Sequence, residues 1–314
     1  VPKTYTENIQ KALGFYEKYL TLTDYSITSR MRHADFLILA KDYKALELEA
    51  NKMKELDGVN PRILRYLGYS AYENGNIDGA LDALQKFTSN PSNKIIPRDY
   101  LYLGQAKIKK GTSADGKSVE ATQLASGIAD IKKAVEMEPL AANELNEIGK
   151  KLYDQKAFAA AAAVFEAAVT NPNSKNYLID NFYLGNSLYY DNTRKDVVKP
   201  DPIALQKADV AFGNVITASP TTQDAYIFRA RTNRLLENDE MMATYYQQYL
   251  DVVTAKGEEE VTKNKNKFIE AYNNIAAVFA NSDKTKAVDY FNKTLALDPA
   301  NEYALSSIKL LTKK

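Results

Sequence analysis

Apolar residues recur along this chain at helical rather than strand spacing. In the clearest stretch, Leu64, Leu67, Gly68 and Ala71 share one face of a run from Arg62 to Glu73. Ile77, Ala80, Leu81, Leu84 and Phe87 share one face of the next run, with the three- and four-residue steps of an amphipathic helix. Asn74-Gly75-Asn76 reads as the turn between them. Asn90-Pro91 ends the second run, because proline lacks the N–H and clashes with the preceding turn. The spacing predicts two helices packed as a hairpin, with small residues at Gly68 and Ala80 allowing close approach.

The same arrangement returns. Leu67-Gly68, Leu103-Gly104, Ile148-Gly149 and Leu184-Gly185 follow one another in steps of 36, 45 and 36 residues, so the full period is a pair of units, 81 residues long. Shifted by 81, Asn90, Pro91, Lys94, Asp99, Tyr102, Leu103 and Gly104 fall on Asn171, Pro172, Lys175, Asp180, Tyr183, Leu184 and Gly185. Tyr72, Ala80, Leu124 and Pro139 fall on Tyr153, Ala161, Leu205 and Pro220. Self-similarity at a fixed period of this size marks a stack of helix pairs. The longer steps place an extra 11 residues between the helices of two units, at about 111–122 and 192–203. Residues 5–22 and 301–312 read as single amphipathic helices that cap the two ends. The polar stretch from Thr254 to Asn266 reads as a loop or an extended helix end.

These units resemble the tetratricopeptide repeat, whose signature of about 34 residues carries Leu-Gly, a Gly turn, Ala, an aromatic, Ala and Pro in order. The unit from Pro61 has Leu67-Gly68, Gly75, Ala80 and Pro91. The next has Leu103-Gly104, Gly111, Ala134 and Pro139. Another has Ile148-Gly149, Ala161, Phe165, Ala168 and Pro172, the fifth Leu184-Gly185, Ala208, Phe212 and Pro220, and the seventh Ala276, Phe279, Ala287, Phe291 and Pro299. Two units are degenerate. The one near 26–59 offers Ala34, Leu37, Leu46 and Ala50. The one near 222–254 offers Tyr226, Ala230, Tyr246 and Tyr249, with Arg229 where Leu is usual. The resemblance covers about residues 26–299. It implies an all-α fold, an α–α superhelix: a right-handed solenoid of about seven helix pairs, forming one domain over residues 1–314.

The resemblance also implies a non-catalytic scaffold that binds a protein or peptide segment in a concave groove lined by the first helix of each unit. Counted from the Leu-Gly register, the groove positions of the second unit hold Arg62, Arg65, Tyr69 and Tyr72. Those of the third hold Arg98, Leu101, Gln105 and Ile108, and those of the fourth Asn143, Asn146, Lys150 and Tyr153. The fifth supplies Ile179, Phe182, Asn186 and Tyr189, and the sixth Asp224, Ile227, Arg231 and Arg234. Arg and Tyr dominate binding hot spots, and Asn makes adaptable polar contacts. A patch of Arg62, Arg65, Arg98 and Lys150 would suit an acidic or carboxylate-bearing partner. The Lys and Asn set with which some such domains hold a chaperone C-terminus is missing, since Asn186 has Phe182 one turn before it. Some helical-repeat proteins of cell-surface uptake systems stack Tyr on sugar rings. That makes carbohydrate binding an alternative expectation, weakened here by the absence of Trp.

Composition narrows the chemistry. The 314 residues include 41 Lys+Arg against 40 Asp+Glu, too balanced for the basic field that general nucleic-acid or anionic-membrane binding needs. No apolar run approaches the roughly 20 residues of a membrane span. With no Cys there is no disulfide, thiol nucleophile or zinc finger. The single His33 stands on a packing face without a second metal ligand, so neither metal nor cofactor is expected. Gly111 to Ser118 spells the phosphate-cradling G-x-x-x-x-G-K-[ST] pattern, but a helix precedes it where a strand should, and the shifted copy at 192–199 loses Gly, Lys and Ser. A nucleotide-responsive loop is therefore the least favoured alternative. The 22 Tyr divide into packing positions such as Tyr102, Tyr183 and Tyr246 and groove positions such as Tyr69, Tyr72, Tyr153 and Tyr189. The chain begins at Val1-Pro2 rather than Met, so processing or trimming is expected. Together with the lack of Cys this leans towards export, periplasmic or cell-envelope, over the cytoplasm. Nothing in the sequence speaks to the oligomeric state.

Overall fold

The structure, a computed structural model, describes residues 3–313; the Val1-Pro2 start and Lys314 lie outside them. The described residues form α-helices joined by short turns, with one isolated β-bridge between Thr112 and Val119 and no strand. None of these helices is long and apolar enough to cross a membrane. The chain gathers into two compact units, one ending at Ala142 and the other beginning at Asn143.

The first unit opens with α1 (Lys3–Leu22). Three helix pairs follow: α2 (Ile27–Ala40) with α3 (Tyr43–Leu56), α4 (Arg62–Glu73) with α5 (Ile77–Ser89), and α6 (Pro97–Gly111) with α7 (Ala121–Met137). The second unit holds four pairs. They are α8 (Ala142–Asp154) with α9 (Phe158–Ala168), α10 (Tyr177–Asn192) with α11 (Pro202–Ala218), α12 (Gln223–Leu235) with α13 (Asp239–Thr254), and, after the short α14 (Glu258–Lys263), α15 (Lys265–Phe279) with α16 (Lys284–Leu297). It closes with α17 (Glu302–Leu311). The stretch from Thr254 to Asn266, expected as a loop or a helix extension, is thus partly a separate six-residue helix. It starts behind Gly257, whose φ of +103° breaks the run from α13.

Local chemistry sets the helix ends. Asp42, Asn76, Asn238, Asp283 and Asn301 each accept a bond from the backbone N–H three residues on, satisfying a donor the helix itself leaves orphaned. Four of the first helices, α2, α4, α8 and α12, end in a shared way. Lys41, Gly75, Lys156 and Glu237 all adopt left-handed φ, between +57° and +88°. In each case the next residue's N–H donates to the carbonyl five residues back, the Schellman closure. Only Gly75 has the residue type for which that conformation is free of Cβ strain.

Packing inside each pair rests on bare backbone at the Leu-Gly positions. A Cβ at Gly149 would lie 2.6 Å from the Phe165 ring, and one at Gly185 would lie 2.7 Å from the Phe212 ring. In the α6–α7 pair two glycines meet: a Cβ on Gly104 would fall 2.5 Å from the Gly127 carbonyl oxygen. Gly68 makes room for Leu84, while Ala80 packs with Ala71 and Ala106. The core of the first unit gathers Leu37, Leu46, Met53, Tyr66, Tyr69, Leu84 and Tyr102. A core of the second gathers Tyr226, Ile227, Met242, Tyr246, Tyr249, Phe268 and Ile275. Arg229, standing where Leu is usual, is held bidentately by Asp209 at 2.9 and 3.0 Å and lies over the Tyr245 ring.

Candidate partner-binding face

The first helices of successive pairs carry the candidate residues, and the two units use them differently. In the first unit most are spent on joining one first helix to the next. Arg65 of α4 is buried and reaches Asp99 of α6 through two bonds, Nε to Oδ1 at 2.7 Å and Nη2 to Oδ2 at 2.8 Å. Its guanidinium also lies over the Phe87 ring. Tyr69 is 1% exposed, stacks on Tyr102 with centroids 4.2 Å apart, and donates its hydroxyl to Asp99 at 2.6 Å. Arg62 donates to Asp35 of α2 and to the Tyr66 hydroxyl. Tyr72 is half-buried, donates to Gln105 at 3.4 Å, and has its pKa pushed up to about 12 by burial. Arg98 is half-buried at the start of α6.

The expectation that Arg65 and Tyr69 face a groove is therefore corrected. Both are interior, because Asp99 sits 34 and 30 residues further on and draws them between α4 and α6. Of the expected cationic patch, Arg62 and Arg65 are already paired with Asp35 and Asp99.

In the second unit the corresponding positions leave rings partly open. Tyr153 of α8 meets Tyr183 and Tyr190 of α10 edge-on, at 5.0 and 6.3 Å. Tyr189 and Tyr190 meet Phe228 of α12 edge-on, at 5.5 and 5.8 Å. Phe182 packs on Tyr183 and Phe212. All of these except Phe212 are half-buried. Lys150 lies over Tyr183, with Nζ 5.6 Å from the ring centroid, and Arg231 lies over Phe228 at 5.3 Å, within cation–π range. Arg231 is also held by Glu270 of α15 at 2.7 and 2.6 Å. Burial raises the pKa of Glu270, but Arg231 and Tyr246 outweigh it and hold the carboxyl below its ordinary value. Burial raises the Tyr189 hydroxyl, with Arg231 and Arg234 pulling the other way. Arg234 is exposed and joins no ion pair among the described residues.

Asn146 donates to Asp180 at 2.6 Å. Asn186, expected in the groove, is only 3% exposed and bonds back to the Phe182 carbonyl. The bond satisfies its Nδ2 within α10, while its Oδ1 is buried without a partner.

The insert with the phosphate-loop pattern folds as a hairpin that uses its own amides. Ser113 N–H donates to the Ser118 carbonyl, Gly116 N–H to the Ser113 carbonyl, Lys117 N–H to Asp115 Oδ1 and Ser118 N–H to Ser113 Oγ. The Lys117 ammonium lies 3.8 Å from Asp115. A phosphate cradle needs those N–H groups free and convergent, so this loop lacks the form its letters suggest. His33 is half-buried against Tyr16, with Nδ1 3.7 Å from Glu49 Oε2, and Glu49 is held by Arg30. Among the described residues no group of three or more His, Asp or Glu side chains could hold a metal ion.

Residues 119–176 match the sequence profile of the tetratricopeptide repeat family. They span α7, α8 and α9, and helix pairs of the same construction precede and follow them. That segment is a tetratricopeptide repeat by its sequence. Similar solved structures include the C-terminal part of a TPR repeat-containing protein from Cytophaga hutchinsonii, 26% identical, covering 88% of this chain and 98% of that one, with a TM-score of 0.49. A tetratricopeptide repeat protein from Parabacteroides merdae is 13% identical over 91% of this chain and 99% of its own, with a TM-score of 0.39. YrrB, described as a TPR protein with an unusual peptide-binding site, is 13% identical over 94% and 97%, with a TM-score of 0.36. No curated protein matches the chain.

In this helical-repeat chain, the residues that the sequence did not point to are the acceptors. Asp35 and Glu270 stand on first helices and decide where Arg62, Arg231 and Tyr246 go. Tyr183, assigned to packing, is half-buried beneath Lys150, and Phe228 carries the row on to α12. A heptad-like pattern shows which face a residue is on, not which acid lies one repeat away. The one available signal was the identity of Asp99 and Asp180 across the 81-residue shift.

Proposed function

We propose that this protein is a non-catalytic interaction module whose residues 143–314 hold an extended peptide or protein segment along the first-helix face. The observation that carries the reading is the row of partly open rings, Tyr153, Tyr183, Tyr190, Tyr189 and Phe228, running over α8, α10 and α12. Rigid aromatic side chains offer large contact area at small entropic cost. Arg234, exposed and close enough to Tyr189 to act on its hydroxyl, supplies a fork for a carboxylate of the partner. The first unit contributes less to this reading because its Arg and Tyr side chains are already engaged with Asp35 and Asp99.

The test is selection of peptides from a displayed library on the full-length chain, followed by binding to variants. Tyr189→Ala and Arg234→Glu are expected to weaken the selected peptides at least tenfold, while Arg62→Ala leaves them unchanged. Equal binding to all three variants, or enrichment of no peptide, contradicts the reading.

A further inference from the structure

The 81-residue internal period allows the two halves of the chain to be compared at one buried acid. Asp99 and Asp180 occupy the same repeat position, both in the first turn of a first helix and both fully buried. Asp99 is saturated: it accepts from Arg65 Nε and Nη2, from the Tyr69 hydroxyl and from the Ile96 N–H at 2.6 to 2.8 Å. Eighty-one residues on, Arg65 becomes Asn146, Tyr69 becomes Lys150 and Ile96 becomes Tyr177. Asp180 accordingly keeps one bond, from Asn146 Nδ2 to Oδ1 at 2.6 Å, and its Oδ2 is buried without a partner. Lys150, in the place of Tyr69, lies over the Tyr183 ring instead.

The charged groups on the elements around Asp180 do not compensate it. On α8, Glu144, Glu147 and Lys151 are exposed. Glu166 of α9 pairs with Lys207 of α11, and Asp209 of α11 pairs with Arg229 of α12. Asp224 of α12 pairs with Lys267, and Arg231 with Glu270. Lys175, in the loop leading to α10, is exposed. A buried carboxylate with one neutral donor and no cation is strongly disfavoured relative to its protonated form. Protonation turns Asp180 into a neutral acid and removes the charge. We propose that Asp180 is a proton-binding site at the joint between α8 and α10, so that this joint is tighter in mild acid than at neutral pH, whereas the equivalent α4–α6 joint, held by Arg65, is not.

Burial places the Asp180 pKa at about 6, against about 3.9 in an unfolded chain. The folded form therefore binds the proton more tightly. The associated stability is complete below about pH 4 and is lost as pH rises through about 6.

The experiment uses the full chain, with carboxyl-carbon NMR titration of Asp180 and melting curves at pH 4 and pH 8. In the wild type the Asp180 carboxyl is expected to titrate near pH 6. Asp180→Asn, which stands in for the protonated acid, is expected to melt higher than wild type at pH 8 and alongside it at pH 4. Asn146→Arg, which rebuilds the Arg65 arrangement, is expected to bring the titration below the ordinary carboxylate range. A wild-type midpoint at or below about 4 overturns the proposal, as does a midpoint that rises only when Lys150→Met removes the ammonium, which would mean Lys150 pairs with Asp180 in solution. An Asp180→Asn melting difference of the same size at both pH values also overturns it.

Discussion

Asp99 shows how one acid can determine the fate of several neighbours. It is fully buried and receives four hydrogen bonds, three of them from Arg65 and Tyr69, so those two side chains join α4 to α6. Removing one partner of a buried ion pair leaves the other charged and unpaired, at a cost of about 3–5 kcal/mol. Asp99→Ala is therefore expected to destabilise the full chain by about that much in urea unfolding, far more than Asp35→Ala, whose partner Arg62 is largely in solvent. Glu270 gives a pH signature. Its folded pKa is depressed, because the bonds from Arg231 and Tyr246 outweigh its burial. Its contribution is present above the unfolded value of about 4.3 and is lost as pH falls through the lower folded value. Glu270→Gln is expected to flatten the acid limb of a melting-temperature profile below about pH 4, and an unchanged limb would contradict this assignment. At this scale the sequence was least legible. Arg65, Tyr69 and Asn186 fall on the predicted face by periodicity, yet the structure buries all three. Burial of the first two depends on an acid some thirty residues away, which local spacing does not encode.

At the scale of single elements the sequence was far more legible, because the signals are local. Leu-Gly steps located the first helices, and Asn90-Pro91 located the end of α5. The glycines needed no long-range knowledge either: Gly149 and Gly185 each sit where a Cβ would strike an aromatic ring. Gly149→Ala and Gly185→Ala are each expected to cost about 1–3 kcal/mol through overpacking, read from denaturant midpoints. The left-handed turns that end α8 and α12 carry the opposite prediction. Lys156 and Glu237 adopt left-handed φ where Gly75 does so without Cβ strain. An L-residue there gives up about 1–2 kcal/mol, part of which glycine returns as unfolded-state entropy. Lys156→Gly and Glu237→Gly are expected to raise stability by up to about 1 kcal/mol, and a loss of that size would show that their side chains do more than occupy the turn. The polar stretch 254–266 escaped the sequence pattern because six residues are too few to display a period.

Across the whole molecule, stability is distributed by neighbours. In a stack of helix pairs each pair is held mainly by those beside it. The principal packing partner of α1 is α2, and that of α17 is α16. Hydrogen exchange on the full chain is expected to be fastest in these two end helices and slowest in pairs such as α4–α5 and α10–α11, which have neighbours on both sides. The proposed seating of a peptide segment on the aromatic row of residues 143–314 is tested by a hydrogen-exchange and cross-linking footprint of a library-selected peptide on the full-length protein. Contact and added protection are expected around Tyr153, Tyr189 and Arg234 on α8, α10 and α12, with none at the 112–120 hairpin. A footprint confined to the second helices or to that hairpin would contradict the account.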